Sequence, residues 1–206
     1  MGEQRLESPP SVKRQAGFSI TELLVALMVA MILLAIGLPS FLRAYRSYQL
    51  SNAATQVADI LRLARYEAIR LNTPVQCVIQ ASGSLPGSTN VWVDSNGNST
   101  LDPAEKMFLL GPAGNLVDGG SVPGTASLLS AAVGAVNVTA PSPTSSGVWF
   151  DARGAVKPPS NIWTVNVFYL SSAVAPDAGY RAVLLMPAGS IQVWTSDTSG
   201  SWQQLR

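Results

Sequence analysis

Six oxygen-bearing side chains, Asp94, Asn96, Asn98, Thr100, Asp102 and Glu105, fall at relative positions 1, 3, 5, 7, 9 and 12 of one polar stretch. That is the spacing with which a calcium loop surrounds its ion with hard oxygens. Position six of such a loop makes a sharp turn that favours glycine, whereas Ser99 stands there, Gly97 lies two residues early, and Pro103 follows Asp102 directly. The same residues also suit an Asx-rich hairpin turn, in which short side chains bond their own backbone. Two readings therefore stand: calcium held by Asp94, Asn96, Asn98, Asp102 and Glu105, or a polar turn with no cofactor.

Other chemistry is scarce. The 206 residues contain no histidine and one cysteine, Cys77. An intramolecular disulfide is excluded, zinc sites of the Cys/His type lack their ligands, and Ser-His and Cys-His catalysis lack their base. Cys77 alternates with apolar neighbours, as a small buried hydrophobe does. Asp151-Ala152-Arg153-Gly154 reads as a turn, and the five tryptophans are scattered without interleaved basic residues, unlike a base-stacking platform. Residues 1–17 hold three basic and two acidic residues; the remainder carries ten of each, which gives no electrostatic footprint for nucleic acid. Composition points away from an enzyme.

The strongest signal is a carboxylate in an apolar setting. Residues 18–38, FSITELLVALMVAMILLAIGL, carry one charge, Glu22. At about 1.5 Å per residue, 21 helical residues span about 30 Å, the thickness of a bilayer hydrocarbon core. Lys13 and Arg14 precede the run and favour a cytoplasmic amino terminus with the carboxyl end outside. Nothing like a small-residue cleavage site follows it, so an ordinary secretory signal fits poorly. A carboxylate within a membrane span costs about 2.5–3.5 kcal/mol at the bilayer centre and calls for a partner. A cut between Gly17 and Phe18 creates one: the new ammonium of Phe18, one helical turn from Glu22, is neutralised by the Glu22 carboxylate of a neighbouring subunit.

KRQAG followed by FSITELLVALMVAMILLAIGLPSF resembles the class III signal of type IV pilins and type II secretion pseudopilins. The resemblance implies a prepilin peptidase that cuts after Gly17 and methylates Phe18. It also places the family's assembly glutamate at Glu22 and its helix-kinking proline at Pro39.

Beyond Pro39, Leu50, Ala54, Val57, Leu61, Ala64, Ala68 and Leu71 recur at spacings of four and three, one apolar stripe on a helix. Arg43, Arg46, Arg62, Arg65 and Arg70 occupy other faces, either a basic surface for lipid headgroups or a partner, or a solvated face with local ion pairs such as Glu67 with Arg70. Asn72-Thr73-Pro74 ends the helix. The period then changes to two, and strands are expected at 74–80, 90–94, 106–110, 136–140, 147–151, 162–170, 180–186 and 190–196. Residues 111–147, rich in Gly, Pro, Ala and Ser, read as a long, partly irregular connection.

Residues 61–79 and 91–108, and more generically 147–156 and 183–194, resemble the GspH/FimT branch of these proteins. The implied fold class is α+β and type IV pilin-like: a long amino-terminal helix, its first half spanning the membrane, packed on a small, mainly antiparallel β domain. The implied segments are a leader (1–17), a transmembrane helix (18–38), a periplasmic amphipathic helix half (39–72) and a periplasmic β domain (73–206). The implied role is that of a minor pseudopilin in a type II secretion system of the bacterial inner membrane. Its partners are then other minor and major pseudopilins, prepilin peptidase, the inner-membrane assembly platform and the lipid bilayer. The alternative is a FimT-like minor pilin serving pilus assembly or DNA uptake; DNA-binding members of that branch carry arginines around the last strand, where this chain has Gly189 to Trp194 with only Arg181 and Arg206 nearby.

Overall fold

The computed structural model describes residues 18–81, 88–134, 138–139, 147–157 and 164–205. The helix α1 runs over Ile20–Leu71 with Pro39 inside it. The chain divides into two compact units at Phe41/Leu42. In the first, every described residue is exposed, Leu23 to Leu38 included. A helix apolar on all sides and covered by nothing within its own chain is suited to lipid rather than water.

In the second unit α1 buries Leu50, Ala53, Ala54, Val57, Ala58, Ile60, Leu61, Ala64 and Ala68. Six of the seven expected stripe positions are among them. Leu71 differs, at 37% exposed, because the helix stops there. Asn72 takes a left-handed φ of 53°, the Thr73 N–H reaches the Ala68 carbonyl, and the Asn72 N–H reaches that of Ile69. This is a Schellman stop, with asparagine in the place usual for glycine. Small residues on the stripe admit close neighbours: a Cβ on Gly114 would collide with that of Ala53.

Among the described residues eleven strands follow: β1 (Val75–Ala81), β2 (Thr89–Asp94), β3 (Met107–Leu110), β4 (Asn115–Val117), β5 (Val138–Thr139), β6 (Val148–Phe150), β7 (Val156–Lys157), β8 (Val165–Ser171), β9 (Tyr180–Leu185), β10 (Ile191–Ser196) and β11 (Trp202–Gln204). One sheet has the order β3-β2-β1-β6-β7; the other runs β11-β10-β9-β8-β4, with β5 also pairing β8. All pairs are antiparallel except β5 with β8. Val75, Cys77 and Ile79 of β1 alternate into the core beneath α1, with Val91, Val93, Val148 and Phe150 beside them. The fold is thus a long helix packed on antiparallel sheets.

The second sheet is buried on both faces. Phe168, Leu170, Val183 and Leu185 face α1, while Val165, Val167, Tyr169, Ala182, Leu184 and Trp194 face a second cluster with Val122 and Leu128. Residues of β8 and β9 therefore read as nearly continuous apolar runs.

Leu128 belongs to a short helix, α2 (Thr125–Val133), inside the stretch expected to be irregular. The same stretch holds β4 and a 3₁₀ turn at Gly119–Ser121. The helix has nine residues and one fully buried side chain, so it carries too little periodicity to show in sequence. Its docking depends on glycine: a Cβ on Gly124 (φ 69°) would run into the Gly200 carbonyl, and the Trp202 indole donates to the Pro123 carbonyl at 3.2 Å. The two-residue β7 and three-residue β11 were likewise not expected. Of the expected strands at 136–140 and 162–170, residues 136, 137, 140, 162 and 163 lie outside the described residues.

Candidate functional site: the amino-terminal assembly region and the domain surface

Gly17, Lys13 and Arg14 lie outside the described residues. Phe18 is 81% exposed and precedes α1, whose first backbone bond runs from the Leu23 N–H to the Ser19 carbonyl at 3.1 Å. Glu22 falls in the first helical turn, where a carboxylate complements the partial positive charge of the unpaired N–H groups. It is exposed, and the ion pairs among the described residues all involve other acids. A cut before Phe18 would add an ammonium at the same helix end.

The acidic loop joins β2 to β3. Asp94 is fully buried, and its two oxygens accept from the N–H groups of Gly97 and Ser99, each at 2.7 Å. Glu105 accepts from the N–H groups of Ser95 (3.0 Å) and Asp102 (3.1 Å). The amides of Asn96 and Asn98 both donate to Asp102 Oδ2, at 2.7 and 2.9 Å. Asn96 and Asn98 carbonyl oxygens accept from the N–H two residues on, the bonding of Asx turns. Ser99 adopts a left-handed φ of 59°, so the sharp turn at position six forms without glycine. Among the described residues, no three His, Cys, Asp or Glu groups are gathered as a metal site.

The five arginines of α1 separate into two kinds. Arg62 pairs with Asp59 at 2.6 Å and Arg70 with Glu67 at 2.7 Å. Arg65 donates to the Gly189 carbonyl at 3.0 Å. Arg43 stands 3.8 Å from Asp177, both largely exposed, and Arg46 has no ion pair among the described residues.

Two features escape sequence reasoning. The hairpin turns at Gly154 (φ 77°) and Gly189 (φ 79°) meet: a Cβ on Gly189 would strike the Gly154 carbonyl, and one on either would press on the Arg65 side chain. Arg65 thus clamps the β6–β7 turn of one sheet and the β9–β10 turn of the other to the helix. Arg181 is only 4% exposed. Its Nε donates to Ser51 Oγ (3.0 Å), one terminal nitrogen to the Tyr180 carbonyl (2.8 Å) and the other to Ser47 Oγ (2.8 Å). Burial lowers its pKa from the ordinary guanidinium value. An open pocket of about 360 Å³ lies beside it, also lined by Asp177, Asp197 and Gln203. With further contacts to the Ala178 and Ser47 carbonyls at 3.5 and 3.4 Å, Arg181 meets only neutral oxygens and ties β9 to α1. No alternation in the sequence marks either contact, because both depend on where distant turns meet.

The helix α1 is long and apolar enough to cross a membrane and leads a helix-on-sheet domain, the architecture of a membrane-anchored subunit with a carboxyl-terminal domain. The prokaryotic N-terminal methylation motif matches residues 12–38, and the family described as type II transport protein GspH matches residues 53–189. The chain belongs to the GspH family. Among solved structures it is similar to the type IV minor pilin FimU of Pseudomonas aeruginosa in two crystal forms. The first is 16% identical, with 76% of this chain and 93% of that one covered and a TM-score of 0.45. The second is 17% identical, with 75% and 97% covered and a TM-score of 0.42. No curated protein matches the chain in sequence. The family is that of structural, pilin-like subunits, and it implies assembly with other pilins after prepilin peptidase processing.

Proposed function

We propose that the protein is an H-type minor pseudopilin of a type II secretion system. The GspH match over residues 53–189 carries this reading. Prepilin peptidase removes residues 1–17 and methylates Phe18. Residues 18–38 then cross the inner membrane with the amino terminus cytoplasmic, 39–72 continue as the periplasmic helix half, and 73–206 form the periplasmic domain. Glu22 neutralises the Phe18 ammonium of a neighbour and sets register as the subunit leaves the assembly platform, and Pro39 marks the end of the span. The chain contributes shape and contacts to a pseudopilus of other minor and major pseudopilins.

The DNA-uptake alternative requires exposed cations near the last strands to contact phosphates. Arg181, the arginine of β9, is buried and tied to Ser47, Ser51 and the Tyr180 carbonyl, which supports the secretion reading. A deletion strain separates the two. Restoring the wild-type gene recovers export of the secreted proteins, and Glu22→Lys does not, although it is still cleaved. Normal secretion in the deletion strain, with pili or DNA uptake lost instead, would assign the protein to a pilus.

A further inference from the structure

We propose that residues 43–48 of α1 form a collar that binds the headgroups of anionic phospholipids on the outer side of the membrane. The proposal rests on the membrane-anchored reading above. Arg62, Arg65 and Arg70 are taken up by Asp59, the Gly189 carbonyl and Glu67. The two arginines nearest the apolar run remain available: Arg43, whose only ion-pair neighbour among the described residues is the exposed Asp177 at 3.8 Å, and Arg46. A contact so long and wet holds a guanidinium weakly. Between and beside them stand Tyr45, 51% exposed, and Tyr48, 69% exposed, the residue type that favours the boundary between hydrocarbon and water.

Position agrees with this role. Arg43 is five residues past Leu38 and Tyr48 ten, or about 8 and 15 Å of helix, and the headgroup layer begins where the apolar run ends. Helical side chains lean toward the amino terminus, about one turn back. That lean carries the Arg43, Tyr45 and Arg46 side chains toward the span and into this layer, with Tyr48 at its outer margin.

Distribution selects the occupant. At 3.6 residues per turn, Arg43 and Arg46 fall on the side that Leu50, Ala54 and Val57 continue into the core, and Tyr45 and Tyr48 fall on the opposite side. A contact with one protein neighbour would use one stripe; a layer of headgroups surrounds the helix and meets every side. Two cations without a firm partner complement phosphates, and the collar continues directly from the span.

The test uses the full chain in vesicles with a fluorophore at Ala44→Cys, Cys77 being buried, and a second preparation labelled at Ile32→Cys. Vesicles of phosphatidylglycerol with phosphatidylethanolamine are compared with phosphatidylcholine alone, each carrying a nitroxide quencher at the headgroup or mid-chain. The mid-chain nitroxide quenches the Ile32 label in both lipids. The headgroup nitroxide quenches the Ala44 label more strongly in anionic vesicles, and Arg43→Gln with Arg46→Gln abolishes that difference while leaving the Ile32 signal intact. Ala44 quenching indifferent to lipid charge and to both substitutions, with Ile32 still quenched, overturns the collar and leaves the anchor standing. Shielding of Ala44 that follows protein concentration rather than lipid assigns the surface to contact between copies and overturns it as well. An unquenched Ile32 label removes the membrane reading, and the collar with it.

Discussion

Cys77 has ordinary neighbours in sequence and an extreme setting in the fold. It is fully buried on β1 between α1 and the first sheet, and burial pushes its thiol from the ordinary 9.0 up to about 12. Tyr169 is displaced in the same direction, from 10.0 to about 12, also by burial. Both groups favour the protonated form in the folded state, so their contribution to stability is complete below the unfolded values. It declines as pH rises from 9 toward 12. Denaturation midpoints should therefore fall across that window, and a thiol reagent at pH 8 should react with Cys77 at the rate of unfolding. Rapid labelling of the native protein would place Cys77 at the surface instead. At Asp94 the carboxylate holds the backbone N–H groups of two exposed loop residues, and Asp94→Ala removes both bonds, at about 0.5–1.5 kcal/mol for each. In the reading without a cofactor, thermal midpoints in millimolar calcium and in chelator coincide, whereas a clear rise with calcium would establish the cation site.

The elements differ in how openly the sequence announces them. The apolar stripe of α1 was legible because about six turns of one helix repeat the same demand, and Leu50, Val57 and Leu61 are buried as the 3.6-residue period requires. Strands β1, β2, β8, β9 and β10 were legible from alternation or from apolar runs bounded by turns. Within 111–147 the signal fails, because α2 buries one side chain fully and is positioned by Gly124 against Gly200. The meeting of the Gly154 and Gly189 turns on Arg65 fails for the same reason, since it is a contact of three distant segments. It is also where a small change should cost most: Gly189→Ala adds a methyl at φ 79° against a carbonyl and the Arg65 stem. The expected loss is about 1–3 kcal/mol, read from chemical denaturation; Gly111→Ala, with nothing within 4 Å of the added Cβ and no left-handed φ, is the control and should not lower stability. Equal midpoints for the two variants would remove the clamp from this account.

For the molecule as a whole, the apolar half of α1 has no cover among the described residues, while the described part of the domain folds around Leu50–Ala68. In the proposed function such a chain meets lipid first and neighbouring subunits afterwards, with the exposed Glu22 near the head of the helix as the group that links the two environments. At this scale the sequence carries nearly the whole functional argument, because the membrane segment, its single carboxylate and the Gly17–Phe18 junction are contiguous. The sheet assembled from β8 to β11, by contrast, brings together segments that no contiguous motif describes. The central claim is maturation at Gly17–Phe18, and intact mass of the protein from membranes of cells with and without prepilin peptidase tests it most directly. A chain beginning at Phe18 and bearing one added methyl, found only when the peptidase is present, is the predicted result; a chain still beginning at Met1 in peptidase-containing cells would contradict it.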